Sequence, residues 1–177
     1  MSTERGERMI IVGIDPGLDG GIAVMGKIDV PTDWLVWWER KRNILVPMPT
    51  VKDGKKRVID EGEVANLVGW GAGTLVVIEK VHAMPKQGVT SMFNFGLGYG
   101  LIRGICSGLG LRYQLVTPQA WQKVMLKGRG RDAKYEVAHE LWPDVDFRAT
   151  ERCRKPHTGM VDAALICEWG RRTGGAN

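Results

Sequence analysis

IIVGIDPGLDGGIAVM, residues 10–25, decides the fold. It begins inside a short apolar run, Met9–Ile14, rich in β-branched side chains, which stops at the turn signal Asp15-Pro16-Gly17. A second apolar run, Gly21–Met25, follows across the turn GLDGG, so the two read as a β-hairpin. Further along, a third strand is expected within either Trp34–Trp38 or Ile44–Met48, in a region interrupted by Pro31, Pro47 and Pro49. Val51–Arg57 sets Lys52, Lys55, Lys56 and Arg57 around a glycine and reads as an exposed loop. From Asp60, the residues Val64, Leu67 and Val68 recur at helical spacing up to Gly69. Leu75–Ile78 is continuously apolar, as in a strand buried on both faces, and delivers Glu79 at its end. Ser91–Gly108 is apolar with four spaced glycines and reads as a helix or as a loop or broken helix, Tyr113–Val116 reads as a strand, and Pro118 suits the first turn of the helix that follows. Helices are expected over Lys134–Leu141, stopped before Pro143, and over Gly159–Arg172, which closes on basic residues and Gly174. Strands come first, then helix and strand alternate. That order predicts an α/β domain, a mixed sheet covered by helices.

Composition narrows the class. A chain of 177 residues suits one domain spanning 1–177. Hydrophobic residues at 44% and charged residues at 25% are globular averages and exclude a disordered chain. With 25 Lys and Arg against 20 Asp and Glu, the net charge of +5 permits a polyanionic partner. No apolar run approaches the roughly 18 residues of a membrane span. Residues 1–8, MSTERGER, carry both signs of charge without an apolar segment, so a secretory signal is not expected and this stretch is read as flexible. Three cysteines, Cys106, Cys153 and Cys167, are an odd number at wide spacing and suggest free thiols in a reducing, cytoplasmic setting. Cys153 and His157 lie four apart with no CxxC nearby, which argues against zinc.

Three acids stand where packing alone would not put them. Asp15 and Glu79 end strands, and central strands of one sheet bring their ends together. Asp162 lies inside the apolar sequence MVDAALICEW and shares a helix face with Leu165, Ile166 and Trp169, the face expected on the sheet. A carboxylate there costs desolvation energy unless a positive charge neutralises it. Oxygen-only ligands favour Mg²⁺ or Mn²⁺, and clustered carboxylates can hold two ions for in-line attack of water on a phosphodiester. Each acid also has an ordinary reading: a turn residue, an edge charge, a partner for an arginine. Their conjunction favours the site.

Lys123, Lys127, Arg129 and Arg131, followed by Lys134, form a basic segment around the turn Gly128-Arg129-Gly130. It is either a solvated face or a phosphate-binding surface, where exposed backbone adds to the charge. Glycines 96, 100, 104 and 108 recur every fourth residue and would form one bare ridge on a helix, pressed on the sheet or on a second subunit. No P-loop exists, because GLDGG is not followed by Lys-Ser or Lys-Thr.

Four segments together carry a resemblance: VGIDPGLDGGIAV (12–24), VVIEKVHAMPKQGVTSMFNFGLGYG (76–100), VTPQAWQKVMLKGRGRDAK (116–134) and KPHTGMVDAALICEW (155–169). In this order they resemble RuvC-type Holliday junction resolvases, most of all the bacteriophage branch. The match runs from Ile10 to Trp169, about nine-tenths of the chain, and is weakest between Lys27 and Val58. It implies a ribonuclease H-like fold with a five-stranded mixed sheet, a homodimer, and metal-dependent hydrolysis of four-way DNA junctions in recombination and repair. Asp15, Glu79 and Asp162 would then hold two Mg²⁺ or Mn²⁺ ions. The family usually places a fourth acid, or sometimes His, three or four residues before the last Asp. Here those positions are Gly159 and Thr158, so His157, five before, is the candidate for fourth ligand or proton carrier. The resemblance matches Lys123 and Lys134 to two functional lysines that contact phosphate near the metals, Lys134 among the catalytic residues. Lys127, Arg129, Arg131 and Lys155, with Arg154, would extend the DNA groove. His82 occupies the place of an aromatic that stacks on bases, with Phe93 and Phe95 as other candidates, one of them expected in the core.

Other functions compete. Another ribonuclease H-like nuclease would cut RNA–DNA hybrids or flaps. An actin-like sugar kinase or ATPase also has DPG after its first strand, but needs two nucleotide-binding halves that 177 residues do not supply. A non-catalytic basic DNA-binding domain would gain nothing from buried acids that repel DNA.

Overall fold

The computed structural model describes residues 10–26, 43–71, 73–80 and 88–174. Residues 1–8, the run Trp34–Trp38 and His82 lie outside them. One five-stranded sheet organises the described chain, formed by β1 (Ile10–Asp15), β2 (Gly21–Met25), β3 (Asn43–Pro47), β6 (Thr74–Glu79) and β7 (Arg112–Val116) in the order β3-β2-β1-β6-β7. β1 pairs antiparallel with β2, and β2 with β3, whereas β6 is parallel to both β1 and β7. The hairpin is as expected, and the third strand falls at the Ile44 site. The sheet is mixed because the chain reverses between β1 and β2 and again between β2 and β3, while the later crossovers run through helices and return it parallel.

Val51–Arg57 departs from its expected loop. It folds as a second, two-stranded sheet, β4 (Thr50–Asp53) and β5 (Lys56–Ile59), around Gly54. Gly54 has φ of +59°, the conformation this tight turn requires and one glycine adopts without strain. The β-branched residues Val51, Val58 and Ile59 were the overlooked strand signal.

Among the described residues, five α-helices cover the two faces. α1 (Glu61–Val68) starts at Asp60, whose side chain accepts from the Glu63 N–H, and α3 (Pro118–Met125) starts at Thr117, whose hydroxyl accepts from Ala120 N–H. α1 and α2 (Val89–Gly108) pack on the face bearing Ile10, Val12, Ile14, Val76 and Ile78. α3, α4 (Lys134–Leu141) and α5 (Thr158–Thr173) pack with Ile11, Leu75 and Val77 on the other. Strand alternation thus splits β1 and β6 between two cores, and these strands are the continuous apolar runs of a doubly covered sheet.

α2 is one continuous helix of 20 residues. It buries Gly98, Ile102 and Cys106, whereas a side chain at Gly96, Gly100, Gly104 or Gly108 would meet nothing within 4 Å. The glycine ridge therefore does not press on the sheet. It faces away from this chain's core, as do Phe93 and Leu97, both more than half exposed.

α5 decides the geometry of the active end. It crosses β1 so closely that a Cβ on Gly13 would lie 2.3 Å from Ala163 O and 2.4 Å from Cys167 N. Its first turn presses on the β1–β2 turn in the same way, since a Cβ on Gly159 would lie 2.3 Å from Asp19 O. Bare backbone at Gly13 and Gly159 lets the helix sit against the strand that ends in Asp15.

Candidate active site

β1 and β6 are parallel neighbours, with Ile14 beside Ile78, so Asp15 and Glu79 emerge at the same end of the sheet. α5 enters over that end. Leu165, Ile166 and Trp169 are buried on its sheet-facing side, and Asp162 stands on the same side one turn earlier, with its side chain only 15% exposed. The three expected acids thus come together within electrostatic range. Burial, followed by the charges of Glu79 and Asp162, pushes the Asp15 carboxyl up to about 7. Burial also raises Glu79, reinforced by Asp162 and opposed by the Trp121 hydrogen bond and Lys134. Asp162 is raised by burial, against the hydrogen bond and charge of Lys134.

Local bonds hold each acid. Asp15 Oδ1 accepts from Gly17 N–H at 3.3 Å, the short-range turn that an Asp before Pro-Gly makes. Trp121 Nε1 donates to Glu79 Oε1 at 2.7 Å from a fully buried indole on α3. Lys134 Nζ, at the first residue of α4, donates to Asp162 Oδ2 at 2.6 Å and lies 5.9 Å from the centre of the Trp121 ring. Asp162 Oδ1 is buried and has no hydrogen-bond partner among the described residues.

Trp121 was not foreseen as part of the site. At helical spacing from Met125 it reads only as core, and nothing in the sequence shows that its indole N–H meets a carboxylate.

Among the described residues, no three His, Cys, Asp or Glu side chains already form a metal-binding group. Lys134 takes one oxygen of Asp162 and Trp121 one oxygen of Glu79, and these bonds draw the acids toward donors in the protein. The set still fits a divalent cation chemically. Among the described residues, all its donors are oxygen, one buried oxygen is orphaned, and a single ammonium faces three acids that resist ionisation.

His157 is placed differently from the acids. It is the N-cap of α5, and its Nδ1 accepts from Met160 N–H at 3.3 Å. An imidazole accepting at Nδ1 carries its proton on Nε2, so capping competes with metal ligation by the same ring. Lys155 and Arg154 are exposed just before it.

The basic segment forms its own concavity of about 450 Å³, in which Lys123, Lys127, Arg129 and Arg131 surround Gly128. Lys123 lines this surface, whereas Lys134 bonds Asp162. Arg129 is paired with Glu140 at 2.8 Å. Beside Asp15 a second cleft of about 650 Å³ opens between the β1–β2 turn and the start of α2, reaching Ile59, Phe95 and Gly98. Neither expected aromatic is core: Phe93 is 68% exposed and Phe95 lines this cleft, partly covered.

No protein-family model matches the chain, and no curated protein matches it significantly. Solved structures do. It is similar to a Thermus thermophilus RuvC structure with a TM-score of 0.52 and 12% identity, over 94% of this chain and 97% of that one. It is also similar to T. thermophilus RuvC in complex with a Holliday junction substrate, with a TM-score of 0.51 and 15% identity, over 96% and 98%. The mixed five-stranded sheet flanked by helices is therefore the RuvC, ribonuclease H-like fold.

Proposed function

We propose that the chain is a structure-selective endodeoxyribonuclease that resolves four-way Holliday junctions by symmetric phosphodiester hydrolysis, serving DNA recombination and repair. The observation that carries this reading is the convergence of Asp15, Glu79 and Asp162 at one end of the sheet, three part-buried acids with one lysine among the described residues between them. A packing role would give each acid its own cation.

In this reading Asp15, Glu79 and Asp162 hold two Mg²⁺ or Mn²⁺ ions, which when bound activate the attacking water and carry the charge of the leaving oxygen. The other residues position the reacting groups. Trp121 keeps Glu79 turned inward. Lys134 neutralises Asp162 in the metal-free chain, and with the acids occupied by cations it would be free to hold the substrate phosphate. Lys123, Lys127, Arg129 and Arg131 hold the strand on the other side, with Arg129 giving up Glu140 for phosphate, and Lys155 extends the groove. His82 stacks on bases at the junction centre. His157 serves as proton carrier from Nε2, or as a ligand once its cap is released.

Two cleavages in symmetric strands call for two sites related by a two-fold axis, so the working form is a homodimer. The exposed glycine ridge of α2 with Phe93 and Leu97 is its contact surface, since close backbone approach needs bare positions. The protein belongs to the bacteriophage-like branch and works in the host cytoplasm. Among the described residues, no helix is long and apolar enough to cross a membrane.

The deciding experiment is Mg²⁺-dependent cleavage of a four-way junction beside an RNA–DNA hybrid, a flap and a linear duplex. Paired symmetric cuts in the junction alone are expected. Preference for the hybrid or flap, or no cleavage of any of them, would overturn the reading.

A further inference from the structure

The β4–β5 hairpin is the most strongly basic element that the catalytic reading leaves unused. Between Lys52 and Arg57 it carries four cations and one acid, Asp53, all exposed. Among the described residues only Arg57 has an acidic partner, Asp19 in the β1–β2 turn. Lys52 is paired directly across from Arg57. Like charges in that register destabilise a two-stranded ribbon; Asp19 offsets this at Arg57, and a further anion beside Lys52 removes the rest.

The position of the ribbon says which anion. β3 is parallel to β1, because Pro47 pairs with Gly21 and Gly21 with Asp15, so the chain leaves β3 for the hairpin at the carboxylate end of the sheet. Side chains alternate along the ribbon, which puts Lys52 and Arg57 on the face shared by Thr50 and Ile59. Ile59 is buried and lines the cleft beside Asp15. The cationic face of the hairpin is thus the outward continuation of that cleft wall, and the ion pair of Arg57 with Asp19 fixes it there. Arg57 lies two residues out along the ribbon from Ile59, roughly 7 Å at strand spacing, and Lys55 sits beyond it in the turn. The basic concavity around Gly128 is built on α3, which packs with α5 on the opposite face of the same sheet from the core that holds Ile59. The acids at the ends of β1 and β6 lie between these two positive surfaces.

We infer that the β4–β5 hairpin is a DNA-contacting arm, in which Lys52, Lys55 and Arg57 hold backbone phosphates of a duplex arm as it enters the cleft beside Asp15. This rests on the nuclease reading for its partner, and a duplex fits because it presents a phosphate charge every ~1.7 Å along its axis.

The test is a salt titration of DNA binding by the full chain in Ca²⁺, on a four-way junction and on a linear duplex. The triple variant Lys52→Gln/Lys55→Gln/Arg57→Gln is compared with the charge-keeping Lys52→Arg/Lys55→Arg/Arg57→Lys. The Gln variant is expected to bind about tenfold or more weakly at 0.15 M salt, with a log–log salt slope smaller by about 2–3. The charge-keeping variant is expected to bind like the parent. Unchanged affinity and slope in the Gln variant would overturn the arm, leaving the ribbon a solvated face or a site for some other partner. So would equal weakening in both variants, which would mean that shape and not charge matters. A parent chain that binds DNA but cuts none refutes the nuclease reading alone, and the slopes still decide the arm. A parent chain that binds no DNA overturns both.

Discussion

Asp162 and Glu168 are acids on one helix, six residues apart, and their surroundings could hardly differ more. Burial alone would raise Glu168, yet hydrogen bonds from Arg171 and Arg172 at 2.6–2.7 Å hold its carboxyl below the usual range. Both Glu168 oxygens are satisfied from its own helix, by residues three and four further on. Asp162 has one lysine from another helix, an orphaned oxygen, and two further acids nearby. A structural carboxylate brings its counter-ions along its own chain. A carboxylate left short of positive charge waits for charge from outside.

The largest effect should come from changing each acid in turn. Asp162→Asn, like Asp15→Asn and Glu79→Gln, should lower junction cleavage by about a thousandfold or more while binding in Ca²⁺ survives. Glu168→Gln should leave cleavage intact and cost about 1–3 kcal/mol of stability in denaturant unfolding. Cleavage lost in both variants would erase the distinction.

Mg²⁺ should sharpen it further. An ion bound only by the native state stabilises by mass action, about 2.7 kcal/mol at a hundredfold excess over Kd. The melting temperature of the parent and of Glu168→Gln should therefore rise with Mg²⁺, and that of Asp15→Asn should stay flat. A parallel rise in Asp15→Asn would place the ion elsewhere.

Acidity should move the two ends in opposite directions. Asp15 has a native pKa of about 7 against an ordinary 3.8, so between these values the native metal-free chain binds a proton that the unfolded chain does not. Its stability should therefore rise as pH falls from about 7 toward 4, with Glu79 and Asp162 acting in the same sense. Glu168, held low, contributes stability above its ordinary 4.5 that is lost on further acidification. Urea midpoints in chelator should peak on the acid side of neutrality, and Asp15→Asn should flatten the upper limb. A midpoint that falls steadily from pH 7 downward would contradict the raised acids.

The smallest effect concerns the start of the same helix. His157→Asn keeps an N-cap, whereas His157→Ala should cost about 1 kcal/mol. If His157 also carries a proton or a metal, Asn should slow cleavage and change the pH–rate profile at unchanged stability. Equal rates for His and Asn would make the residue a cap alone.

Much of the fold was legible because its signals are local. The apolar runs around Asp15-Pro16-Gly17 and before Glu79, the Asp60 cap, Pro118 and the Lys134–Leu141 helix each depend on neighbours in sequence, and each element appears within a residue or two of its expected place. The ribbon at Val51–Arg57 was missed because lysines dominate its composition, and pairing across Gly54 is decided by register.

What the sequence alone determined was a mixed α/β sheet and three misplaced acids, because period, caps and turn chemistry act over a few residues. Only the tertiary structure decided that α5 presses on Gly13, that Lys134 and not an ion-pair partner on its own helix meets Asp162, that Trp121 bonds Glu79, and that the glycine ridge of α2 faces outward. Residues 28 and 42 positions apart meet in those bonds. Their partners are chosen by how helices cross a sheet, a relation that spacing along the chain does not encode.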